Sequence, residues 1–498
     1  MPANLDALQK KLYGLIISRI DGEMVRMEEY RKGLFDLVHK GIGGFIIFGG
    51  EMDEIRKLVH ELQSSADLSL FICSDIERGV QQQIGGTTAF PCQMATAAAI
   101  DPVKPGHVEL LQKAIRSVMA EAKHVGINMP LIPVMDVNSD PDNPIICTRA
   151  FSDNPGTTAW FGTEYIKAVE DEGLISCAKH FPGHGDTDVD SHISLPVINK
   201  PISELMKCDI MPFKKSIEAG TGSIMVGHLT VSALDTKPAS LSEKVITGLL
   251  RKELGFEGLI LTDALNMNAL KDFGNVPACC LSAGADIILH PANADYTVRE
   301  LLSAVRSGEV GQDKIEAAFS RVIKAKSRLS KDLAGVADFT EGEALSRLMT
   351  EMSITLVRNN GVTLPLADSS VHAIFAGETR FHSFSPLKES FYSTNVSETA
   401  DISGDVAIFA VFTSVSAWKG SSGISMEEKE KIKRLIQKAK TSVIVSFGSP
   451  YVLRYFTEAD MLIAAYEPGI NAQYAVIKCL SGTAAFSGRL PVTLPETG

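Results

Sequence analysis

Along the first 290 residues, short apolar runs alternate with longer stretches of helical periodicity or Ala/Leu/Lys/Glu-rich composition. The runs are "YGLIIS" from Tyr13, "GGFIIF" from Gly43, "LFICSD" from Leu70, "MPLIPVMDV" from Met129, "LISCAKHF" from Leu174, "GSIMVGHL" from Gly222, "GLILTDAL" from Gly258 and "ADIILHP" from Ala285. They are continuous rather than alternating, which is the pattern of parallel strands buried on both faces. Eight such strands interleaved with helices, without a Gly-rich dinucleotide turn, predict a (β/α)8 TIM-type barrel rather than a doubly wound sheet.

A charged helical stretch, "QDKIEAAFSRVIKAKSRLSK", is followed by "DLAGVADFTEGEALSRL", which is polar and has no strand pattern. We therefore expect the barrel over 1–332, a linker over 333–350 and a second domain over 351–498. In that last part "VHAIFAG", "DVAIFAVF", "TSVIVSFGSP", "MLIAAYEP" and "RLPVTLP" read as strands, with "MEEKEKIKRLIQKAK" as a helix between the second and third. This alternation predicts a smaller α/β sandwich, with helices on both faces of one sheet.

Composition narrows the function classes. Hydrophobic residues at 45% and charged residues at 22% are those of a packed globular chain. A net charge of -12 with no block of five Lys/Arg offers no footprint for nucleic acid. The N-terminal "LYGLII" is too short for a signal peptide and reads as a strand, and no apolar run approaches a membrane span, so the expectation is a cytoplasmic protein with no membrane partner. The eight cysteines lack metal-ligand spacing; Cys279 and Cys280 sit in the helical-looking "ACCLSAGAD", and all read as buried thiols.

Six predicted strands end in ionisable residues: Asp75, Asp136, Lys179 with His180, His228, Asp263 and His290. The C-terminal strand ends of such a barrel converge on one concave face, so these residues are candidate neighbours. The fifth strand runs into "KHFPGHGDTDVDSH", which holds three of the chain's eleven histidines and three aspartates. Its two glycines and proline disfavour a helix. Asp190 and His192 are two apart, so in an extended stretch the carboxylate reaches one imidazole nitrogen while the other faces substrate, as in a proton shuttle. A metal held by His180, His184, Asp186, Asp188, Asp190 and His192 is the competing reading, although the spacing matches no zinc motif. A merely exposed polar loop is the plainer one. Asp263, alone, reads equally as a helix N-cap; beside a proton shuttle it completes the minimum set for retaining glycoside hydrolysis.

"KHFPGHGDTDVDSH" and "LTDALNM", in that order within one barrel, resemble the glycoside hydrolase family 3 β-N-acetylglucosaminidases of the NagZ type, here in a two-domain form. The similarity runs from "GIGGFIIFGGE" to "GADIILHP" and, more loosely, through "WKGSSGI", "VSFGSPY" and "GRLPVTLP". The resemblance implies Asp263 as nucleophile and His192 as acid/base in a dyad with Asp190. It implies Asp75, Arg149 of "CTRAF", Lys179 and His180 as sugar contacts, with His228 as a further pocket residue or, equally, a hydrogen-bonded strand-end histidine. His184, Asp186 and Asp188 then shape the loop, and His290 is structural. Where typical members read "DQEGGRVQR" this chain has "DIERGVQQQ", placing Gln83 at the final arginine, with Arg78 displaced from it.

The implied function is exo-acting release of terminal β-GlcNAc, from muropeptides by resemblance, with no metal or organic cofactor. One alternative is a family 3 β-glucosidase with a glutamate acid/base from the second domain, where Glu427, Glu428 and Glu430 instead read as the first turns of a solvated helix. Another is a GlcNAc or glucoside phosphorylase, because a neutral histidine repels phosphate less than a carboxylate does. A sugar-binding protein without catalysis would lack one of Asp263, Asp190 and His192, and all three are present.

Overall fold

The computed structural model describes residues 7–330, 336–366, 370–399, 401–416 and 418–495. It divides into two compact units, the first comprising 1–89, 112–137 and 155–342 and the second 90–111, 138–154 and 343–498.

The first unit carries eight parallel strands: β1 (Ile16–Asp21), β2 (Gly44–Phe48), β3 (Phe71–Ser74), β4 (Met129–Pro130), β5 (Cys177–Phe181), β6 (Ser223–Val226), β7 (Leu259–Thr262) and β8 (Ile288–Leu289). One sheet runs β8-β1-β2-β3-β4 and another β5-β6-β7. Bridges Val134↔Lys179 and Leu261↔Ile287 join them at both edges, closing the ring. All eight predicted strands are present. The N-terminal run is split, because Ala7–Gly14 is helical and the strand starts only at Ile16. Every residue of β3, β5, β6 and β7 is buried, as continuous apolar strands require when helices cover the outside and side chains fill the inside. After β5 the loop returns through a short parallel ribbon, Val197–Ile198 against Thr230–Val231.

The second unit is a six-stranded sheet of β9 (Thr355–Asn359), β10 (Val371–Gly377), β11 (Tyr392–Asn395), β12 (Val406–Phe412), β13 (Ser442–Phe447) and β14 (Met461–Ala464), in the order β9-β14-β13-β12-β10-β11. Only β9 is antiparallel. Separate apolar cores cover its two faces, as in a sandwich. Residues 489–495 form no strand: Pro491 and Pro495 lack the donors a ladder needs, and Leu490, Val492 and Leu494 pack on one core instead. The helix predicted from Met426 spans Met426–Ile436 and opens with a capping box from Ser425 and Glu428.

The division into units differs from a single boundary near 332. Residues 90–111 and 138–154 belong with the sheet, because Cys92, Met94, Ala95, Ala98 and Cys147 are buried in its core beside Phe409 and Tyr451. The stretch expected as a linker carries the helix Phe339–Ser353, while 333–335 lie outside the described residues. Among the described residues no helix is long and apolar enough to cross a membrane.

Candidate active site

The C-terminal ends of β3, β4, β5 and β7 supply the site. Lys179 lies inside β5, buried to 1% exposure, and its ammonium is 2.6 Å from Asp75 Oδ1 and 2.8 Å from Glu77 Oε1. In β5 the pairing with β6 slips between Lys179 and Phe181, leaving His180 as an extra residue. Such a bulge re-aims the side chains around it. His180 is then held by Asp136, just beyond β4: Oδ2 accepts from Nδ1 at 2.7 Å, and the carboxylate also accepts the His180 amide. Asp136 Oδ1 accepts the His184 amide at 2.7 Å as well. Burial opposes the Asp136 charge, but His180, His184 and these hydrogen bonds outweigh it and hold the carboxyl below its ordinary range.

Asp263 follows β7 directly, and its Oδ1 accepts the Ala264 amide at 2.7 Å. Desolvation opposes its ionisation, yet His180, His228 and His192 together pull its pKa down to about 2. Asp263 is therefore a carboxylate at neutral pH. The N-cap reading does not hold, because the next helical turn, Asn268–Leu270, starts after Met267 and the Asp263 bond to Ala264 is purely local. His228 is fully buried, with Nδ1 2.8 Å from Ser240 Oγ and Nε2 3.3 Å from the Ala264 carbonyl oxygen. Burial lowers its pKa. With Nε2–H donated to Ala264, Nδ1 accepts from Ser240, so the ring braces the turn that carries Asp263.

The loop after β5 contains no helix or strand between 182 and 196. Asp190 is buried; its Oδ1 accepts both the His192 amide and His192 Nδ1 at 2.9 Å. The Asp190 carbonyl accepts the amides of Ile193 and Ser194. The pair thus meets through a side-chain-capped turn and not, as the i, i+2 spacing suggests, through extended backbone. His192 remains 24% exposed at its side chain.

His184 knits this turn together. The Thr187 hydroxyl donates to the His184 carbonyl, so its oxygen accepts from Nδ1–H at 2.9 Å, and Nε2 accepts from Ser191 Oγ at 3.0 Å. Burial lowers the His184 pKa to about 4, which keeps the ring neutral as this arrangement requires. His290, at the end of β8, is likewise lowered to about 4 by burial and contacts Phe48. Among the described residues no group of three or more His, Cys, Asp or Glu is arranged to hold a metal ion.

The first unit therefore brings together Asp75, Lys179, His180, Asp190, His192, His228 and Asp263. Arg149 belongs to the second unit, where it ends a short 3-10 turn and donates to the Ile145 carbonyl at 2.9 Å. Gln83 is partly buried after the turn Val80–Gln82, and Arg78 is exposed. Sequence reasoning passed over Glu77, whose spacing of two from Asp75 was the available signal, and gave no role to Asp136, although it marked a strand end.

Residues 8–325 match the glycosyl hydrolase family 3 N-terminal domain. Beta-hexosaminidase A of Pseudoalteromonas piscicida is 30% identical over 537 aligned residues, covering 91% of this chain and 89% of that protein. A beta-N-acetylglucosaminidase/beta-glucosidase of Cellulomonas fimi is 25% identical over 504 residues, covering 91% and 88%. Among solved structures, a family 3 beta-N-acetylglucosaminidase from a Paenibacillus species matches with a TM-score of 0.84 and 27% identity, covering 99% of this chain and 100% of that one. With the family model spanning well over half its length and a site of ionisable residues at the strand ends, the chain belongs to glycosyl hydrolase family 3.

Proposed function

We propose that the chain is an exo-acting, retaining β-N-acetylglucosaminidase that releases terminal GlcNAc. The observation that carries this reading is the Asp190–His192 couple on the loop, together with a buried Asp263 at the end of β7 whose pKa histidines, His192 among them, pull down to about 2. In the first step Asp263 attacks the anomeric carbon while protonated His192 gives its proton to the departing glycosidic oxygen. In the second, the same imidazole, now neutral, takes a proton from water, which displaces Asp263 and restores the β-anomer. Asp190 fixes Nδ1–H, so proton exchange runs through Nε2.

Lys179, Asp75 and His180 supply charged and neutral hydrogen-bonding groups for sugar hydroxyls. Arg149 is carried as a sugar contact on motif resemblance alone. His228 fits a positioning role for Asp263 better than a direct contact, because both ring nitrogens already have protein partners. GlcNAc as the sugar is supported by the names of the relatives, and muropeptides as its source rest on the family resemblance alone. The test is hydrolysis of aryl β-GlcNAc against aryl β-glucoside, with EDTA present and phosphate varied. GlcNAc-selective, EDTA-resistant release of free sugar supports the reading. Glucoside preference contradicts the sugar assignment, and phosphate-dependent glycosyl phosphate contradicts hydrolysis.

A further inference from the structure

The loop that carries Asp190 and His192 has a second attachment besides Asp136. Lys200, just beyond the Val197–Ile198 ribbon, places its ammonium 3.1 Å from Asp186 Oδ2 in the loop and 3.2 Å from Asp209 Oδ2. Asp209 directly precedes the helix Ile210–Glu218 but does not cap it, and its Oδ1 has no hydrogen-bond partner among the described residues. Its side chain is 0% exposed, and that of Lys200 11%. The loop entry rests on the same residue: a Cβ at Gly183, where φ is +126°, would stand 2.8 Å from Asp209 Cβ, so only glycine allows this approach.

This is an expensive arrangement. Desolvation pushes the Asp209 carboxyl up to about 6 against the pull of Lys200. Burial works against the Lys200 charge too, though the two carboxylates prevail and raise its pKa. A buried ion pair with one unmatched oxygen adds little stability over apolar residues of the same volume. What it does supply is geometry. Gly183 fixes where the loop leaves the barrel, Asp186 fixes its first turn, and the turn around His184 then sets Asp190 and His192.

We propose that Lys200 and Asp209 are positioning residues for proton transfer, the Asp186–Lys200–Asp209 bridge holding the loop so that His192 meets the glycosidic oxygen. The inference rests on His192 being the acid/base. A displaced acid penalises only departures that need a proton, which separates positioning from simple stabilisation.

The experiment measures kcat/KM for wild type, Lys200→Met, Asp209→Asn, Lys200→Arg and His192→Ala on two aryl β-GlcNAc substrates. One has a strongly acidic phenol as leaving group and the other a weakly acidic phenol. Lys200→Met and Asp209→Asn are expected to lose roughly 10- to 100-fold on the weakly acidic leaving group. They should stay within about twofold of wild type on the acidic one, and Lys200→Arg should restore most of the loss. Equal losses on both substrates, or losses that follow a lowered Tm without leaving-group selectivity, overturn the proposal and leave a structural bridge. If His192→Ala itself lacks selectivity, the acid/base reading fails and the inference falls with it. If His192→Ala is selective and Lys200→Met is not, the anchoring role alone is wrong. Should Lys200→Met not fold, Asp186→Asn cuts only the loop side of the bridge and carries the same expectation.

Discussion

The strand ends and the loop after β5 hold their ionisable groups in different ways. Lys179 and His180 are gripped by carboxylates from other strands: Asp75 is 104 residues away and Asp136 is 44. Asp190 and His192 are two residues apart and are held by a turn and, through Ser191, by His184, while Lys200 ties the same loop at Asp186. The groups proposed to grip the sugar are thus built into the closed barrel, where a shift in one strand disturbs its neighbours. The group proposed to donate and accept a proton within one cycle, His192, sits on a loop fixed by side-chain hydrogen bonds. Asp263 combines the two, standing on a strand end while its charge is stabilised by histidines from both regions.

The contrast can be broken at its strongest point first. Asp263→Asn keeps the shape and removes the nucleophile, so kcat should fall by at least about 10³-fold with an unchanged far-UV spectrum. Residual turnover near wild type would remove Asp263 from the chemistry. His192→Ala should lose roughly 10²- to 10³-fold on poorly activated aryl β-GlcNAc and far less on strongly activated ones. A uniform loss would make the loop a binding element like the strand ends. Lys179→Met should instead lose about 10- to 100-fold in kcat/KM regardless of leaving group, the worth of a charged hydrogen bond. A leaving-group dependence there would blur the distinction.

The smallest expected effect is on stability. His184 titrates near 4 in the folded chain and at its ordinary value of 6.5 when unfolded. Between these values the unfolded chain binds the extra proton, so lowering the pH through that window destabilises the fold. His290, also near 4, adds to the same slope. His184→Gln should therefore show a shallower fall in Tm from pH 6.5 to 4 than wild type, read by calorimetry. An unchanged slope would mean the loop hub is not neutral by burial.

Much of this contrast was legible in the sequence, for a physical reason. An apolar run that ends abruptly in Asp, Lys or His announces both a barrel strand and the end where its ionisable groups gather, so β3, β5 and β7 came with their candidate residues. The loop was readable because its chemistry is contiguous. Partnerships made by barrel closure were not: Glu77 meets Lys179 and Asp136 meets His180 only once the strands are side by side. The insertion of 90–111 and 138–154 into the sheet unit escaped for the same reason, since Cys92 and Cys147 carry no local mark of which core they join. β9 and the short polar edge strand β11 lack a run that periodicity can detect.

The proposed mechanism runs through a covalent glycosyl-enzyme on Asp263, formed with His192 as acid and cleared with His192 as base. His192→Ala exposed to an aryl β-GlcNAc with a strongly acidic leaving group should form that intermediate and fail to clear it. Intact and peptide mass spectrometry should then find one N-acetylhexosaminyl group on the peptide containing Asp263, with a burst of released phenol matching the enzyme concentration. A burst without adduct, an adduct on another carboxylate, or steady turnover with no accumulation would contradict the account.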